Sequence, residues 1–359
     1  MVARPPLRVL VLVHTDLVPP PDADEQVAHA TAAPPDKPAD PLTWRAEYDV
    51  LRALERLGHE AHCVGVQSDL GVIRSAIDVF RPDVAFNLLE EFHGVGVYDQ
   101  HVASYLELLK VPYTGCNPRG LTLARDKVLT KKILAWHRVR TPDFAHFPAG
   151  RRVARPRRLP FPLLVKSVSE EASTGIAQAS IVHSDEKLAE RVAFVHERVG
   201  GDALAEHYIE GRDLYVGVLG HERLRVLPAW ELCFDSLPPD TEPIATARVK
   251  WDASYQRKLG VRTGLASLPE GLEPRLAALC RRVYRALSLS GCARMDLRLA
   301  PDGTPWFLEA NPNPNLERNE DFALSAQQAG MNYSSLIDRL LALALDYRAE
   351  WKATASAER

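Results

Sequence analysis

Strand-length apolar runs alternate with helix-length amphipathic ones along the N-terminal third, and this alternation limits the fold more than any other feature. Leu7–Val13 is a continuous, β-rich apolar run, and Trp44–Leu57 carries apolar residues at helical spacing before stopping at Gly58. Ala61–Val66 and Asp83–Leu89 are further strand candidates, with Gly71–Phe80 a helix between them. A strand that is apolar on both faces must be covered on both, so a parallel α/β sheet flanked by helices is expected. Between the first strand and the first long helix, Val18–Pro41 is dense in proline, alanine and aspartate. That composition reads as a long mobile loop, either a lid or a plain insertion, at the strand end where open α/β sheets bind ligands.

Downstream, Asp99–Leu109 reads as a helix, Val111–Thr114 as a short strand and Asp126–Trp136 as a helix. Arg151–Arg158 is basic and proline-bearing; a solvated hairpin loop is the plain reading and a nucleic-acid contact the alternative. Phe161–Ser167, Ile176–His183, Ala203–Ile209 and Leu214–Leu219 are strand-like, with Asp185–Val199 a helix among them. Helices over Glu273–Leu287 and Tyr333–Ala349 enclose a hairpin at Ala293–Glu309, and no internal repeat is present.

The 359 residues suffice for two or three domains, and 46% hydrophobic with 25% charged residues fits a globular chain. A net charge of -3 gives no reason to expect nucleic acid or an anionic membrane as partner. No apolar run nears the roughly 20 residues of a membrane helix, and the N-terminus makes a poor signal peptide. The five cysteines contain no Cys-x-x-Cys pair, which suggests reduced thiols in a cytoplasm rather than disulfides or a zinc site.

The chemistry concentrates in Arg294–Ala300 and Pro305–Asn311, two alternating runs around Pro301-Asp302-Gly303-Thr304. A turn closing symmetrically between Asp302 and Gly303 sets Asp296 opposite Glu309 and Arg294 opposite Asn311, all on one face. Opposed carboxylates repel unless a cation joins them, and Asp, Glu and Asn oxygens are the hard donors that magnesium prefers. A hairpin whose acids merely face water is the alternative. Lys166 ends a strand, and the small-residue loop Ser167–Gly175 after it can fold over phosphates, although no Walker-type loop is present. Glu206–Asp213 follows another strand with acids around an apolar pair, which suits a nucleoside as well as an ordinary turn.

In this order the pieces resemble the ATP-grasp superfamily, and within it the D-alanine–D-alanine ligases, over roughly residues 83–345. The likeness runs through Phe92-His93-Gly94, Asp99, Val111-Pro112-Tyr113-Thr114-Gly115, Asp126-Lys127 with Thr130-Lys131, the Lys166–Gly175 loop and Glu206–Asp213. It ends in Arg294-x-Asp296 and Glu309-x-Asn311. It implies an N-terminal parallel α/β domain (1–118, with the insertion at 18–41), a central ATP-binding lobe (119–213), a C-terminal lobe (214–349) and a tail (350–359). The two lobes would sandwich ATP. Lys127 and Lys166 then look like the lysines on the α- and β-phosphates, with Ser173 in the phosphate loop. Glu206 and Ile209 resemble the adenine contacts, Asp213 the ribose contact and Lys250 the γ-phosphate lysine. Asp296, Glu309 and Asn311 look like ligands of two magnesium ions, with manganese as an alternative, and Arg294 like the arginine that stabilises the tetrahedral intermediate.

The substrate positions depart from those ligases. The glycine-rich turn and glutamate after the first strand are replaced by His14-Thr15-Asp16-Leu17, and two hydroxyl-bearing positions align with Ala172 and Trp251. The proline–glycine step after the metal ligands is Pro314-Asn315, and a serine–leucine pair aligns with Glu320-Asp321. Asn315, Glu317, Glu320 and Asp321 are therefore the candidate substrate residues, unless the last two only cap a helix starting near Phe322. The expected function is an ADP-forming carboxylate–amine ligase for small-molecule or peptide substrates in the cytoplasm, with a homodimer left open. A ligase acting on a protein or peptide tail and an inactive nucleotide-binding regulatory module are the alternatives.

Overall fold

A computed structural model of the chain describes residues 5–32, 42–170, 174–239 and 241–349. The chain divides into two compact units, one of residues 1–118, 290–292 and 313–359, the other of residues 119–289 and 293–312.

In the first unit, β1 (Arg8–His14), β2 (Glu60–Val66) and β3 (Val84–Asn87) form a parallel sheet in the order β2-β1-β3. Val9 pairs with Ala61 on one side and Val84 on the other, and Val9 through Val13 are fully buried, as a strand apolar on both faces requires. The helices α1 (Ala23–Ala32), α2 (Arg45–Arg56), α3 (Leu70–Phe80) and α4 (Asp99–Leu108) connect and flank these strands. On α2, Val50, Ala53 and Leu54 are the buried stripe that the helical spacing predicts. Asp69 caps α3 by accepting from the Gly71 N–H at 2.7 Å.

Two expectations fail here. The stretch read as a mobile loop contains α1, whose Ala-Asp-Glu-Gln-Val-Ala-His-Ala-Thr-Ala sequence is a fair helix former with acids in its first turn. Its Asp24 accepts a hydrogen bond from the Tyr48 hydroxyl at 2.6 Å and pairs with Arg52, both on α2. Proline in the flanks hid it; residues 33–41 lie outside the described ones. The short strand at Val111–Thr114 shrinks to a single parallel bridge between Ala85 and Tyr113, because Pro112 has no N–H to extend the ladder.

The second unit opens with α5 (Pro118–Arg125) and α6 (Lys127–Trp136). A four-stranded antiparallel sheet follows, β4 (Phe144–Phe147), β5 (Leu163–Ser167), β6 (Ile181–Val182) and β7 (Ala203–His207), ordered β4-β7-β5-β6. Leu188, Val192 and Val195, on α7 (Asp185–Phe194) and the turn continuing it, pack on Leu163, Val165, Ala203 and Ala205. β4 and β5 both pair with β7, not with each other, so Arg151–Arg158 is not a hairpin loop. Its Arg155 lies over the Phe161 ring and pairs with Asp185 at 2.7 Å. The predicted strand at Ile176–His183 is mostly a tight turn, since the Ser180 hydroxyl accepts from the Ala177 N–H and from Arg191.

A larger sheet completes this unit, with β8 (Arg212–Leu219), β9 (Arg225–Val226), β10 (Trp230–Phe234), β11 (Val261–Leu265), β12 (Cys292–Leu299) and β13 (Pro305–Pro312). Its order is β11-β10-β8-β12-β13, with β9 beside β8. The short helices α8 (Ala247–Trp251) and α9 (Ala253–Leu259) precede β11, and α10 (Leu272–Ala286) lies on β8. Gly211 enters β8 with φ +146°, and a Cβ there would sit 2.2 Å from the Leu299 carbonyl oxygen. Gly211→Ala is therefore expected to cost more than about 1 kcal/mol in a denaturant melt, since backbone rather than a movable side chain blocks it. The chain then returns to the first unit with α11 (Asp321–Gln328) and α12 (Tyr333–Asp346), and α12 lies against α2 and β3. The stretch 214–349, expected as one lobe, is thus shared by compactness between the two units.

Candidate active site

Two elements of the second unit bring buried lysines to one carboxylate. Asp126 caps α6 through the Leu129 N–H at 2.8 Å, which starts the helix at Lys127. Lys127 and Lys131 lie four residues apart, hence on one face of α6, and both are buried. Lys166 is the last residue but one of β5, and Glu206 is its near neighbour on the paired strand β7. The Glu206 carboxylate, 1% exposed, receives Lys131 Nζ at 2.7 Å on Oε2 and Lys166 Nζ at 2.8 Å on Oε1. Burial alone would raise its pKa, but the two ammonium groups outweigh burial and hold it below the ordinary carboxylate range. Lys131 moves the other way: burial pulls it down more than Glu206 restores. Lys166 also suffers burial, yet Glu206, Glu309 and Asp296 together raise it.

The β12–β13 hairpin carries the acids. Asp296 lies opposite Glu309 and Arg294 opposite Asn311, the pairs expected, but by a different route. The turn spans Pro301–Gly303, with Ala300 N–H donating to Thr304 O at 3.0 Å, Gly303 N–H to Ala300 O at 2.9 Å, and Gly303 at φ +77°. That turn alone would leave Asp296 one residue out of step. A bulge between Asp296 and Leu297, which puts Leu297 opposite Phe307, restores the register by absorbing Leu308.

Arg294 grips Asp296 with two bonds, Nε to Oδ1 at 2.8 Å and Nη2 to Oδ2 at 2.9 Å, and lies 4.8 Å from the Tyr215 ring centre. Burial, resisted by Arg294 and reinforced by Glu309, still leaves the Asp296 pKa raised. Glu309 is also penalised by burial, but the fields of Lys127, Lys166, Lys250 and Arg294 bring it down to about 2. Lys127 Nζ stands 3.9 Å from Glu309 and donates to the Glu170 carbonyl at 2.6 Å, at the start of the loop after β5. Lys250 rides on α8, which Thr246 begins by accepting from the Val249 N–H at 3.2 Å.

Lys166, Glu206, Ile209, Asp213, Lys250, Asp296 and Glu309 line one cavity of about 720 Å³, open mouth included, whose remaining walls are largely apolar. Two side chains in this neighbourhood escaped the sequence reading. Lys131 appeared only as part of a motif, although its spacing from Lys127 was the signal. Arg298 shares a strand face with Arg294 and Asp296 and was overlooked. It is buried, bonding Asp213 Oδ1 at 2.6 Å, the Tyr208 hydroxyl at 2.8 Å and the carbonyls of Ile209 and Pro243 at 3.0 Å each. Asp213 is therefore held by Arg298 at the cavity wall.

The other candidates are placed elsewhere. Ser173 and Ala172 lie outside the described residues. Trp251 is 72% exposed at the end of α8. Asn315, Glu317, Glu320 and Asp321 belong to the first unit. Asn315 Oδ1 accepts from the Glu317 N–H at 2.9 Å, and burial raises the Glu317 pKa. Glu320 occupies the N-cap position of α11 without a capping bond from its side chain, and Asp321 sits in the first turn, where the helix dipole favours it.

Asp296, Glu309 and Asn311 offer two carboxylates and an amide, a donor set that fits a hard divalent ion, which would also relieve two acids forced opposite each other. No three His, Cys, Asp or Glu side chains are grouped as metal ligands among the described residues.

A family model described as the D-Ala–D-Ala ligase C-terminus matches residues 132–342, more than half the chain. The chain belongs to the D-alanine–D-alanine ligase family. It is 33% identical over 86% of its length to the y4sG protein of Sinorhizobium fredii, covering 90% of that protein. It is 31% identical over 84% of its length to the D-alanine–D-alanine ligase of Desulforudis audaxviator, covering 94% of that enzyme. In fold it matches the Bacillus anthracis D-alanine–D-alanine ligase complexed with ATP, with a TM-score of 0.71 over 95% of this chain and 98% of that one at 22% identity. This family member is an ATP-grasp protein and an ADP-forming carbon–nitrogen ligase, and neither the regulatory module nor the tail-modifying ligase is favoured. The family implies dependence on ATP and a divalent metal ion. No described helix is long and apolar enough to cross a membrane.

Proposed function

We propose that this protein activates the carboxylate of a small molecule or peptide as an acyl-phosphate and joins it to an amine. The observation that supports this most is the facing pair Asp296 and Glu309 with Arg294, Lys127, Lys166 and Lys250 around it. A carboxylate is a poor acyl donor because oxide would have to leave. Once the γ-phosphoryl group is on a carboxylate oxygen and ADP has departed, the amine nitrogen can attack the carbonyl carbon. The C–O bond to phosphate then breaks, phosphate takes the electron pair, and the ammonium proton goes to solvent. Almost all the work is positioning and charge neutralisation.

Lys127 and Lys166 are read as the α- and β-phosphate lysines, Lys250 as the γ-phosphate lysine and Ser173 as a donor in the loop between them. Glu206 and the Ile209 backbone would meet the adenine, and Asp213, steadied by Arg298, the ribose. Asp296, Glu309 and Asn311 would hold magnesium, two ions in the full site, with manganese able to replace it. When bound, the metal neutralises phosphate charge and polarises the transferring group. Arg294 would donate to the oxyanion of the tetrahedral intermediate. The sheets of 119–213 and 214–312 are taken as the two lobes around the nucleotide. The cytoplasm is the proposed location, and a homodimer is compatible with the reading.

The substrate pair is proposed to differ from two D-alanines. Thr15–Leu17 follows β1 as a tight turn with no glutamate, and Trp251 offers no hydroxyl. Glu317, Glu320 and Asp321 are proposed to disfavour an acceptor with a free carboxylate. Incubation with D-alanine and ATP is expected to yield negligible dipeptide, whereas a screen of acid and amine pools, scored by phosphate release and product mass, is expected to find an active pair. Efficient D-alanyl-D-alanine synthesis would refute this reading of the pockets.

A further inference from the structure

The first unit contains a cavity of its own, about 480 Å³ with its open mouth, apart from the phosphoryl-transfer residues. Glu47, on α2, lines it together with Asn87, Glu90, Thr114, Asn313 and Asn315. The Glu47 side chain is 5% exposed, and its Oε2 is out of contact with solvent and has no hydrogen-bond partner. The guanidinium nearest in sequence does not serve it: Arg45 is turned to Asp49 at 3.2 Å. Asp49 also accepts the Arg318 N–H at 3.1 Å.

A buried carboxylate with one oxygen left without a partner is costly unless a proton or a cation complements it. A proton is the minimal answer. Burial first, opposed by a hydrogen bond from its own backbone N–H and then reinforced by the negative fields of Glu90 and Glu317, raises the Glu47 pKa to about 7, so near neutrality the side chain is poised to lose its proton to an arriving cation. The lining favours an organic cation. Leu89 and Leu340 supply apolar wall, and Asn87, Asn313 and Asn315 line the same cavity. Their amide oxygens already accept the N–H groups of Leu89, Cys116 and Glu317, which leaves each oxygen one further lone pair. We propose that this cavity binds the ammonium or guanidinium group of a small organic ligand, with Glu47 as the counter-ion. Binding of the cation at this site, whether as acceptor amine or as effector, does not depend on the phosphoryl-transfer reading.

Calorimetry on the full chain without nucleotide tests it, with 1,4-diaminobutane and agmatine as probes, 1,5-pentanediol as the uncharged control and potassium chloride as the inorganic one. The diamine and agmatine are expected to bind saturably, and Glu47→Gln to weaken both at least tenfold while MgATP still raises the melting temperature. Ala46→Leu, which narrows the same cavity and keeps the carboxylate, is expected to weaken them as well. Product mass after incubation with ATP and the acid pool separates an acceptor amine, which is consumed, from an effector, which is not; either supports the site. Equal affinity in wild type and both variants, pentanediol binding as tightly as the amines, displacement by equimolar potassium, or no saturable binding would each overturn it.

Discussion

Asp296→Asn or Glu309→Gln is expected to cut turnover by at least about a hundredfold while leaving the protein folded, the usual scale for lost charge stabilisation of a transition state. The two acids face each other across the β12–β13 ladder, so removing one negative charge relieves repulsion between strands. Glu309 gathers four cationic neighbours that hold it ionised down to about pH 2, and Asp296 takes both prongs of Arg294. That is a charge arrangement organised for something other than hairpin stability. Phosphate-release rates at saturating and limiting magnesium, with circular-dichroism melts, check the expectation. A variant with near-normal activity at limiting magnesium would place the ion elsewhere.

Glu206→Ala is expected to be the most damaging single change to stability, at about 3–5 kcal/mol. It leaves Lys131 and Lys166, both buried, without the carboxylate that each now approaches within 2.8 Å. For a unit of this size the melting temperature should fall by on the order of 10 °C. Adding Lys131→Met is expected to restore much of the loss, because the penalty comes from an uncompensated buried charge rather than from a missing attraction. If Glu206→Ala melts within a degree or two of wild type, the two lysines are not buried against it as described.

The parallel sheet and the acid pair were legible in the sequence because each rests on short-range periodicity. Val9–Val13 is apolar without interruption, and Arg294, Asp296, Glu309 and Asn311 alternate within two adjacent strands. The turn type was not legible: Pro301-Asp302-Gly303 can close as two or three residues, and the correct pairing survived only because the bulge at Leu308 cancels the difference. Helix α1 was hidden by the prolines around it, since composition averages over a boundary that a helix does not respect. Arg298 and Lys131 show a different limit. A lone basic residue reads as surface, and only the fold reveals that Asp213 and Glu206 are close enough to bury it. Pairings between residues 131 and 206, or 213 and 298, leave no local trace in the chain. The cavity beside Glu47 is of the same kind, assembled from six separate stretches of the first unit.

The proposed acyl-phosphate is most directly tested with the acid substrate labelled with oxygen-18 in its carboxylate, turned over with ATP and amine, and followed by phosphorus NMR. Transfer of the γ-phosphoryl group to a carboxylate oxygen predicts ADP and inorganic phosphate, with one labelled oxygen delivered to the phosphate for each amide formed. Unlabelled phosphate beside labelled amide, or AMP in place of ADP, would contradict it.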